Sequence, residues 1–373
     1  MIDLFKVFMS PTAAKKVGDV LMSGFIGQGE EVEVFEGILH KHFESPYVNT
    51  VNSCTSGLEL IVEMIKRNCG YMEGDEIITT PLTCTATNFA ILSRGMKIKW
   101  ADVDPLNYNI DLNDVARKLT PKTKAVMVVH WGGYPVDLDK LNIILQKFND
   151  MYGFTPYVIE DCAHAWGAKY KGKLIGTHGN FCSFSFQAIK HFTTGDGGLV
   201  ITPNKEWHDY AKLLRWYGLD RTSNKDFRCA QNIKEFGFKF HMNNINAAIG
   251  IENYPHTSGV VEKHQANAKF YNDNLWNTSG VILPENESDR ESSYWVYTIM
   301  VKDRENFIKK MKEKGIMTSQ VHDRNDKHDC LKEFKIQLPG LDEIAKEMIA
   351  IPCGWWVTED QRSYIVDCIK EGW

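Results

Sequence analysis

Apolar residues recur along this chain at two spacings, and the alternation between them predicts its elements. Residues 11–24 (PTAAKKVGDVLMSG) carry apolar positions three and four apart, with Pro11 near the first turn and Gly24 as the stop. A second helix is predicted from Glu30 to His42. Short apolar runs follow at 47–52 (YVNTVN), 76–80 (EIITT), 98–103 (IKWADV), 125–131 (AVMVVHW), 157–161 (YVIED), 181–186 (FCSFSF) and 199–202 (LVIT). Helical spacing lies between the earlier ones, at 56–68, 87–94, 112–118 and 137–150. Strands apolar on both faces, alternating with helices, predict an α/β fold with a mostly parallel sheet covered on both sides. Ligands of such sheets gather beyond the carboxyl ends of the strands.

After residue 250 the pattern changes. A long helix at 258–276 leads through VILPEN to a strand at 293–301 (SYWVYTIMV), with helices at 303–314, 341–350 and 358–371. The expected organisation is a large domain over 1–250 and a smaller C-terminal α/β domain over 251–373, joined by the long helix. At 373 residues the chain has room for both.

Composition narrows the functions. Hydrophobic residues make up 43% and charged residues 24%, and the formal net charge is −5. That balance gives no general pull toward nucleic acid or an anionic membrane. Nine scattered cysteines include no C-x-x-C pair, so neither a zinc ribbon nor a thioredoxin-like site is expected, and no metal. A reduced, cytoplasmic protein fits this usage. The opening MIDLFKVFMSPTAAKK lacks a basic leader with a long apolar core, and nowhere do 18 apolar residues run together.

Three strand ends offer chemistry. NSCTSGLEL at 52–60 opens a helix with small hydroxylated residues, which suits either an N-cap or a phosphate at the helix's positive end. VIEDCAHAWGA at 158–168 closes an apolar strand on Glu160 and Asp161. A carboxylate there is costly unless paired, so Asp161 either caps the next element or holds a positive ring nitrogen. His164 is a core histidine or meets the same ligand. SFSFQAIKHFTTGDGG at 183–198 brings a semi-apolar run to Lys190, whose ammonium form burial disfavours. Such an amine can condense with an aldehyde, and Gly195 to Gly198 let the backbone turn beside a bulky ligand. A phosphate cradle, a carboxylate for a ring nitrogen and a lysine aldehyde trap together specify a pyridoxal phosphate site. Ser185 could add a hydroxyl to the phosphate.

With these motifs the chain resembles, nearly end to end, the fold-type I aminotransferases that act on nucleotide-linked keto sugars, the DegT/DnrJ/EryC1/StrS family. SGFIGQGEEVEVFE at 23–36, TCTATN at 83–88, VHWGGYPVDLD at 129–139 and GFKFHMNNINAAIG at 237–250 carry the likeness alongside the three strand ends. The resemblance implies a large domain with a mostly parallel seven-stranded sheet. It implies pyridoxal 5'-phosphate (PLP) held covalently by Lys190, which also moves protons, and Asp161 paired with the pyridine nitrogen. His164 is then near the phenolic oxygen, and Thr55, Ser56 and Ser185 are phosphate ligands. Cys84 stands at the cofactor face, where the family is often aromatic. Lys239 stands where many members send an asparagine from the other subunit to the phosphate.

The implied reaction takes nitrogen from glutamate, leaving pyridoxamine phosphate, and gives it to a nucleotide-linked keto sugar in amino-sugar and glycan biosynthesis such as lipopolysaccharide O-antigen. The Thr-Thr-Gly-Asp-Gly-Gly wording points toward a 4-keto-6-deoxy sugar. A homodimer with shared sites is implied as well. Alternatives are a C3-acting aminotransferase, a pyridoxamine-phosphate-dependent dehydratase, or a non-catalytic regulatory protein on the same fold. Dehydratases of this family replace the lysine with histidine, and here His191 follows Lys190. The key residue lies five before the first glycine of the turn, Gly195, which selects Lys190.

Two further stretches carry charge. LLRWYGLDR at 213–221 either supplies Arg215 or Arg221 to a diphosphate or is an exposed helix end. VHDRNDKHDC at 321–330 holds His322, His328 and Cys330, but fits no metal spacing and is expected to be a polar loop at the substrate mouth. Trp355, Trp356 and Trp373 are core or interface.

Overall fold

Helices α1 (Ala13–Ser23) and α2 (Glu30–His42) form where the spacing placed them, the first ending on Gly24 in the left-handed conformation. The structure, a computed structural model, describes residues 1–221 and 230–373, so Cys229 lies outside the described residues. The alternating region follows as β1 (Val48–Val51), α3 (Cys54–Asn68), β2 (Glu76–Thr79), α4 (Thr85–Ser93), β3 (Lys97–Trp100), α5 (Leu112–Lys118), β4 (Thr123–Val129), α6 (Leu138–Tyr152) and β5 (Tyr157–Asp161). After it come β6 (Lys169–Tyr170), β7 (Lys173–Leu174), β8 (Phe181–Ser185), β9 (Gly198–Ile201), α7 (Lys205–Leu214) and α8 (Asn244–Asn253).

Seven strands form one sheet in the order β1-β9-β8-β5-β4-β2-β3. From β8 to β3 every neighbour is parallel; β9 runs antiparallel to both β8 and β1. This is the mostly parallel seven-stranded sheet that the resemblance implies. The reversed strand has a local cause: the chain leaves β8, passes Lys190 and turns straight back through the glycine-rich segment. The switch from parallel to antiparallel pairing therefore sits beside the lysine. Strands β1, β4 and β9 are buried almost throughout, as two-sided covering requires.

The rest of the chain is α9 (Thr257–Leu275), β10 (Val281–Ile282), β11 (Arg290–Glu291), β12 (Tyr297–Val301), α10 (Arg304–Glu313), α11 (Pro339–Ile344), β13 (Met348–Ile351) and α12 (Glu359–Lys370). A second sheet, β10-β12-β13, shares a core with Tyr271, Phe307, Met311 and Ile365. The N-terminus joins that core through Ile2, whose N–H donates to Gly315 (2.7 Å). Leu331, Leu338, Leu341 and Ile344 instead pack into the core of the large sheet. A small sheet, β11-β6-β7, is a further tie between the two parts.

The structure corrects two spans and adds a helix. The helix expected over 341–350 stops at Ile344, and MIAI at 348–351 is strand β13, buried at every position. Four consecutive apolar residues need burial on both faces, which a strand in a covered sheet supplies and an amphipathic helix does not. The strand expected from 293 begins at Tyr297, where pairing with β13 starts; ahead of it the Ser293 N–H donates to the Gly133 carbonyl and the Trp295 indole to the Ile189 carbonyl. Helix α8 has little amphipathic character; its small Ala247, Ala248 and Gly250 let it lie close against α1 and α2. Trp355 packs on Phe8 (5.4 Å) and Trp373 on Phe307 (5.0 Å), while Trp356 donates to the carbonyl of Asp3 (2.8 Å). All three tryptophans thus make contacts within the chain.

Candidate active site

Strand β5 ends in two acids that alternation sends to opposite faces. Glu160 is fully buried on one face, where it meets His130 Nε2 (2.8 Å) and accepts from the Asn180 amide (2.7 Å). His130, Glu160 and Cys162 are close enough to share an ion, but His130 Nδ1 already accepts from the N–H of Val136 (3.0 Å). With its other nitrogen donating to Glu160, that imidazole has no lone pair to offer a metal.

Asp161 lies on the other face and lines a cavity of about 360 Å³ at the carboxyl ends of the strands. Its carboxylate accepts from Thr87 Oγ1 (2.7 Å) and from the N–H of Ala163 (3.0 Å). Thr83 Oγ1 stands 2.8 Å behind Thr87. Burial raises the Asp161 pKa above the usual carboxylate range, against the hydrogen bonds and the charge of Lys190. The site thus holds a carboxylate that a cation would stabilise.

Lys190 reaches the same cavity from the turn after β8. Burial pushes its pKa down to about 8, with Asp161 opposing. A useful fraction of the amine is therefore neutral near physiological pH. Its ammonium sits 3.4 Å from the ring centroid of Trp295. The next residue, His191, faces the interior: Nε2 meets the carbonyl of Ser293 (2.9 Å), and its ring lies 4.5 Å from that of His264. Of the two, the lysine lines the cavity.

The glycines after Lys190 have a packing reason. Gly195 takes φ +84°. A Cβ at Gly198 would lie 2.6 Å from the Phe184 carbonyl and 2.7 Å from the Cys54 nitrogen. Only a residue without one lets the start of α3 seat against β9. The permissive backbone beside the lysine thus brings a helix N-terminus to the cavity.

At that N-terminus Ser53 is the cap, accepting from the Ser56 N–H (3.1 Å), and the two hydroxyls lie 2.9 Å apart. Thr55 and Ser185 line the cavity, but Ser56 is turned to the cap and does not. The leading N–H groups of a helix have no acceptor within it and carry the positive end of its dipole, which suits an anion. Cys84 lines the same cavity at the start of α4. Lys239 is exposed, its carbonyl accepting from Asn52 (3.2 Å), and it does not line the cavity of its own chain.

The far wall was only partly foreseen. His164 stacks on Trp295 (4.0 Å, 19°) and lies parallel to His322 (5.5 Å, 8°). His164 Nδ1 and His322 Nε2 are buried with no hydrogen-bond partner among the described residues. Burial drives His164 well below the normal imidazole range and His322 down to about 4, so both are neutral at pH 7. Val321, just before His322, has φ +68°, a strained value for a β-branched residue. Strain of this kind persists where the surroundings over-determine it, and here it delivers an imidazole to the cavity.

His328 lies between two 3-10 turns and Cys330 in the second, both outside the cavity lining, so the loop from 321 to 330 does not gather its three candidates around one ion. Arg215 is corrected as a diphosphate ligand and as part of an exposed helix end. It is buried, donating to Glu36 Oε1 (2.5 Å) and the Thr50 carbonyl (2.6 Å). Arg221 donates to the Gln28 carbonyl (2.9 Å) and lies 4.8 Å from the ring centroid of Trp216. It lines another hollow of about 470 Å³, and a third of about 620 Å³ opens by Tyr47 and Asn180. Neither contains Lys190 or Asp161.

A buried amine, a buried carboxylate, an anion-binding helix end and an unpaired imidazole in one cavity define a fold-type I pyridoxal phosphate enzyme, and each matches one part of that cofactor. The chain belongs to the DegT/DnrJ/EryC1/StrS aminotransferase family, whose profile matches residues 9–370. Solved structures similar to it include AtS13 and CalS13. AtS13 from Actinomadura melliaura is 47% identical, with a TM-score of 0.97, over 100% of this chain and 99% of that one. The sugar aminotransferase CalS13 from Micromonospora echinospora is 42% identical, with a TM-score of 0.96, over 100% of both chains. A curated relative, the dTDP-4-dehydro-2,3,6-trideoxy-D-glucose 4-aminotransferase of Saccharopolyspora spinosa, is 27% identical over 94% of this chain and 91% of its own length. The chain is accordingly a sugar aminotransferase that works with PLP. Among the described residues no helix is long and apolar enough to cross a membrane.

Proposed function

We propose that this protein moves the amino group of glutamate onto the C4 ketone of a 6-deoxy sugar carried by a nucleoside diphosphate. The observation that carries the reading is Lys190 and Asp161 lining one cavity beyond the carboxyl ends of β5 and β8. The C4 preference is supported by the Thr-Thr-Gly-Asp-Gly-Gly turn and by the 4-aminotransferase named among the relatives.

Bound PLP would supply an electron-accepting ring that takes up the pair left when the donor's C–H bond breaks. Lys190 is the covalent anchor. Its neutral amine removes the proton from the donor carbon, and its ammonium returns a proton to the sugar carbon. Asp161 holds the ring nitrogen in its charged form, which offsets the cost of burying that carboxylate. The start of α3, Thr55 and Ser185 hold the phosphate. His164 faces the phenolic oxygen, Cys84 takes one face of the ring, and neutral His322 is placed to hydrogen-bond a sugar hydroxyl. The protein works in the cytoplasm as a homodimer, with Lys239 of each chain reaching toward the other's phosphate. Two half-reactions at one site give ping-pong kinetics.

The dehydratase reading is disfavoured because His191 is engaged with Ser293 away from the cavity. The test is to incubate the protein with PLP, glutamate and a panel of 4-keto and 3-keto nucleotide sugars, and to weigh the products. Conversion of a 4-keto compound to its amine is expected. Amination confined to 3-keto compounds would refute the C4 assignment, and loss of water without amination would refute transamination.

A further inference from the structure

Lys190 has an unusual neighbour for a buried cation. Its Nζ lies over the indole of Trp295, 3.4 Å from the centroid, and makes no hydrogen bond or ion pair among the described residues. The tryptophan is held on several sides. Its Nε1 donates to the Ile189 carbonyl (2.9 Å), one residue before the lysine, while Phe5 and His164 stack against it at 5.2 and 4.0 Å. The segment that carries it is fastened to both flanks of the site. Ser293 donates from its N–H to the Gly133 carbonyl (3.2 Å) and from its hydroxyl to the His164 carbonyl (3.0 Å), and its own carbonyl meets His191 (2.9 Å). These contacts fasten the indole plane beside the lysine.

An ammonium over an indole face is attracted by the ring's quadrupole, most strongly where water is excluded. The groups that act electrostatically with Lys190 are Asp161 at the end of β5, Cys54 and Cys84 at the starts of α3 and α4, His164 after β5, the adjacent His191, and His322. Asp161 is already engaged by Thr87 and Ala163.

We propose that Trp295 is a positioning residue for Lys190: its indole face holds the protonated amine over the cavity whenever that amine is not covalently engaged. The inference rests on the reading of Lys190 as cofactor anchor and proton carrier. Its consequence is that the lysine stays within reach of the reacting carbon between the two proton transfers instead of relaxing toward solvent.

The test uses the cofactor-free protein. Fluorinated tryptophans introduced at position 295 alone weaken the face stepwise while keeping the ring's shape. Reductive methylation of Lys190, followed by peptide mass spectrometry across pH, then gives the midpoint at which the amine becomes neutral. The expected result is a midpoint that falls with each added fluorine, by about half to one pH unit over the series. Trp295→Phe should fall between the native and the most fluorinated forms. A flat series would overturn the inference. A separate control keeps the underlying reading apart: PLP and borohydride should mark Lys190 in every member. Failure to mark it in the native protein would sink the anchor role instead.

Discussion

The hydroxyl of Thr87 donates to Asp161 across 2.7 Å, and Thr83 stands 2.8 Å behind it. That relay favours the ionised carboxylate against burial, so its removal should push the Asp161 pKa further up and loosen the grip on a charged ring nitrogen. Thr87→Val is expected to weaken PLP binding by about tenfold, the cost of one hydrogen bond to a charged group, while Thr87→Ser retains it. Cofactor titration by absorbance checks both. Asp161 was legible in the sequence because a carboxylate at the end of an apolar strand demands a reason. Its partner was not, since Thr87 lies 74 positions away and a threonine in a helix carries no such demand. Trp295 stayed hidden because an aromatic residue in an apolar run has an ordinary explanation, whereas His322 sits in the polar loop expected at the substrate mouth and does line the cavity.

At the scale of elements, glycine and charge placement explain more than propensity does. Gly198→Ala would press a Cβ onto the backbone of both β8 and α3, so the start of α3 has to move away from β9. Reduced PLP retention is expected with the far-UV spectrum preserved, a pairing that equilibrium dialysis and circular dichroism can read. Arg215 links α7 to α2 and β1 through Glu36 and Thr50. Arg215→Ala leaves Glu36 buried without its charge partner and should cost about 3–5 kcal/mol in urea unfolding. An unchanged KM for the nucleotide sugar is the accompanying expectation, since this arginine is structural. Most strands apolar on both faces were readable from sequence, with β13 the exception. Strand β13 was missed because MIAI adjoins a helix and its apolar residues also satisfy helical spacing, and α8 because its small residues leave little amphipathic signal.

For the molecule as a whole, buried titratable groups set opposing pH dependences. His191, His264, His164 and His322 are buried with pKa values depressed chiefly by desolvation, to about 4 for His264 and His322. A depressed histidine contributes stability that is present above its unfolded pKa near 6.5 and lost as pH falls toward the folded value. Cofactor-free protein should therefore lose stability between about pH 6.5 and 4, with a limiting slope of about 1.4 kcal/mol per pH unit for each such histidine. His264→Gln should flatten that slope by about one proton's worth, measured as urea midpoints across the range. Asp161 has the opposite sign. Its folded pKa is raised, so its contribution is present at low pH and lost as pH rises through that value. Asp161→Asn is thus expected to raise the Tm of the cofactor-free protein at pH 7 while abolishing most turnover, a trade of stability for function.

The proposed chemistry depends on a covalent bond between PLP and Lys190, and peptide mapping after borohydride reduction measures it directly. Native protein incubated with PLP should carry the reduced pyridoxyl group on the peptide containing Lys190, and Lys190→Ala should carry none at that peptide. A native protein that binds PLP yet yields no adduct there, or yields one at another residue, would contradict it.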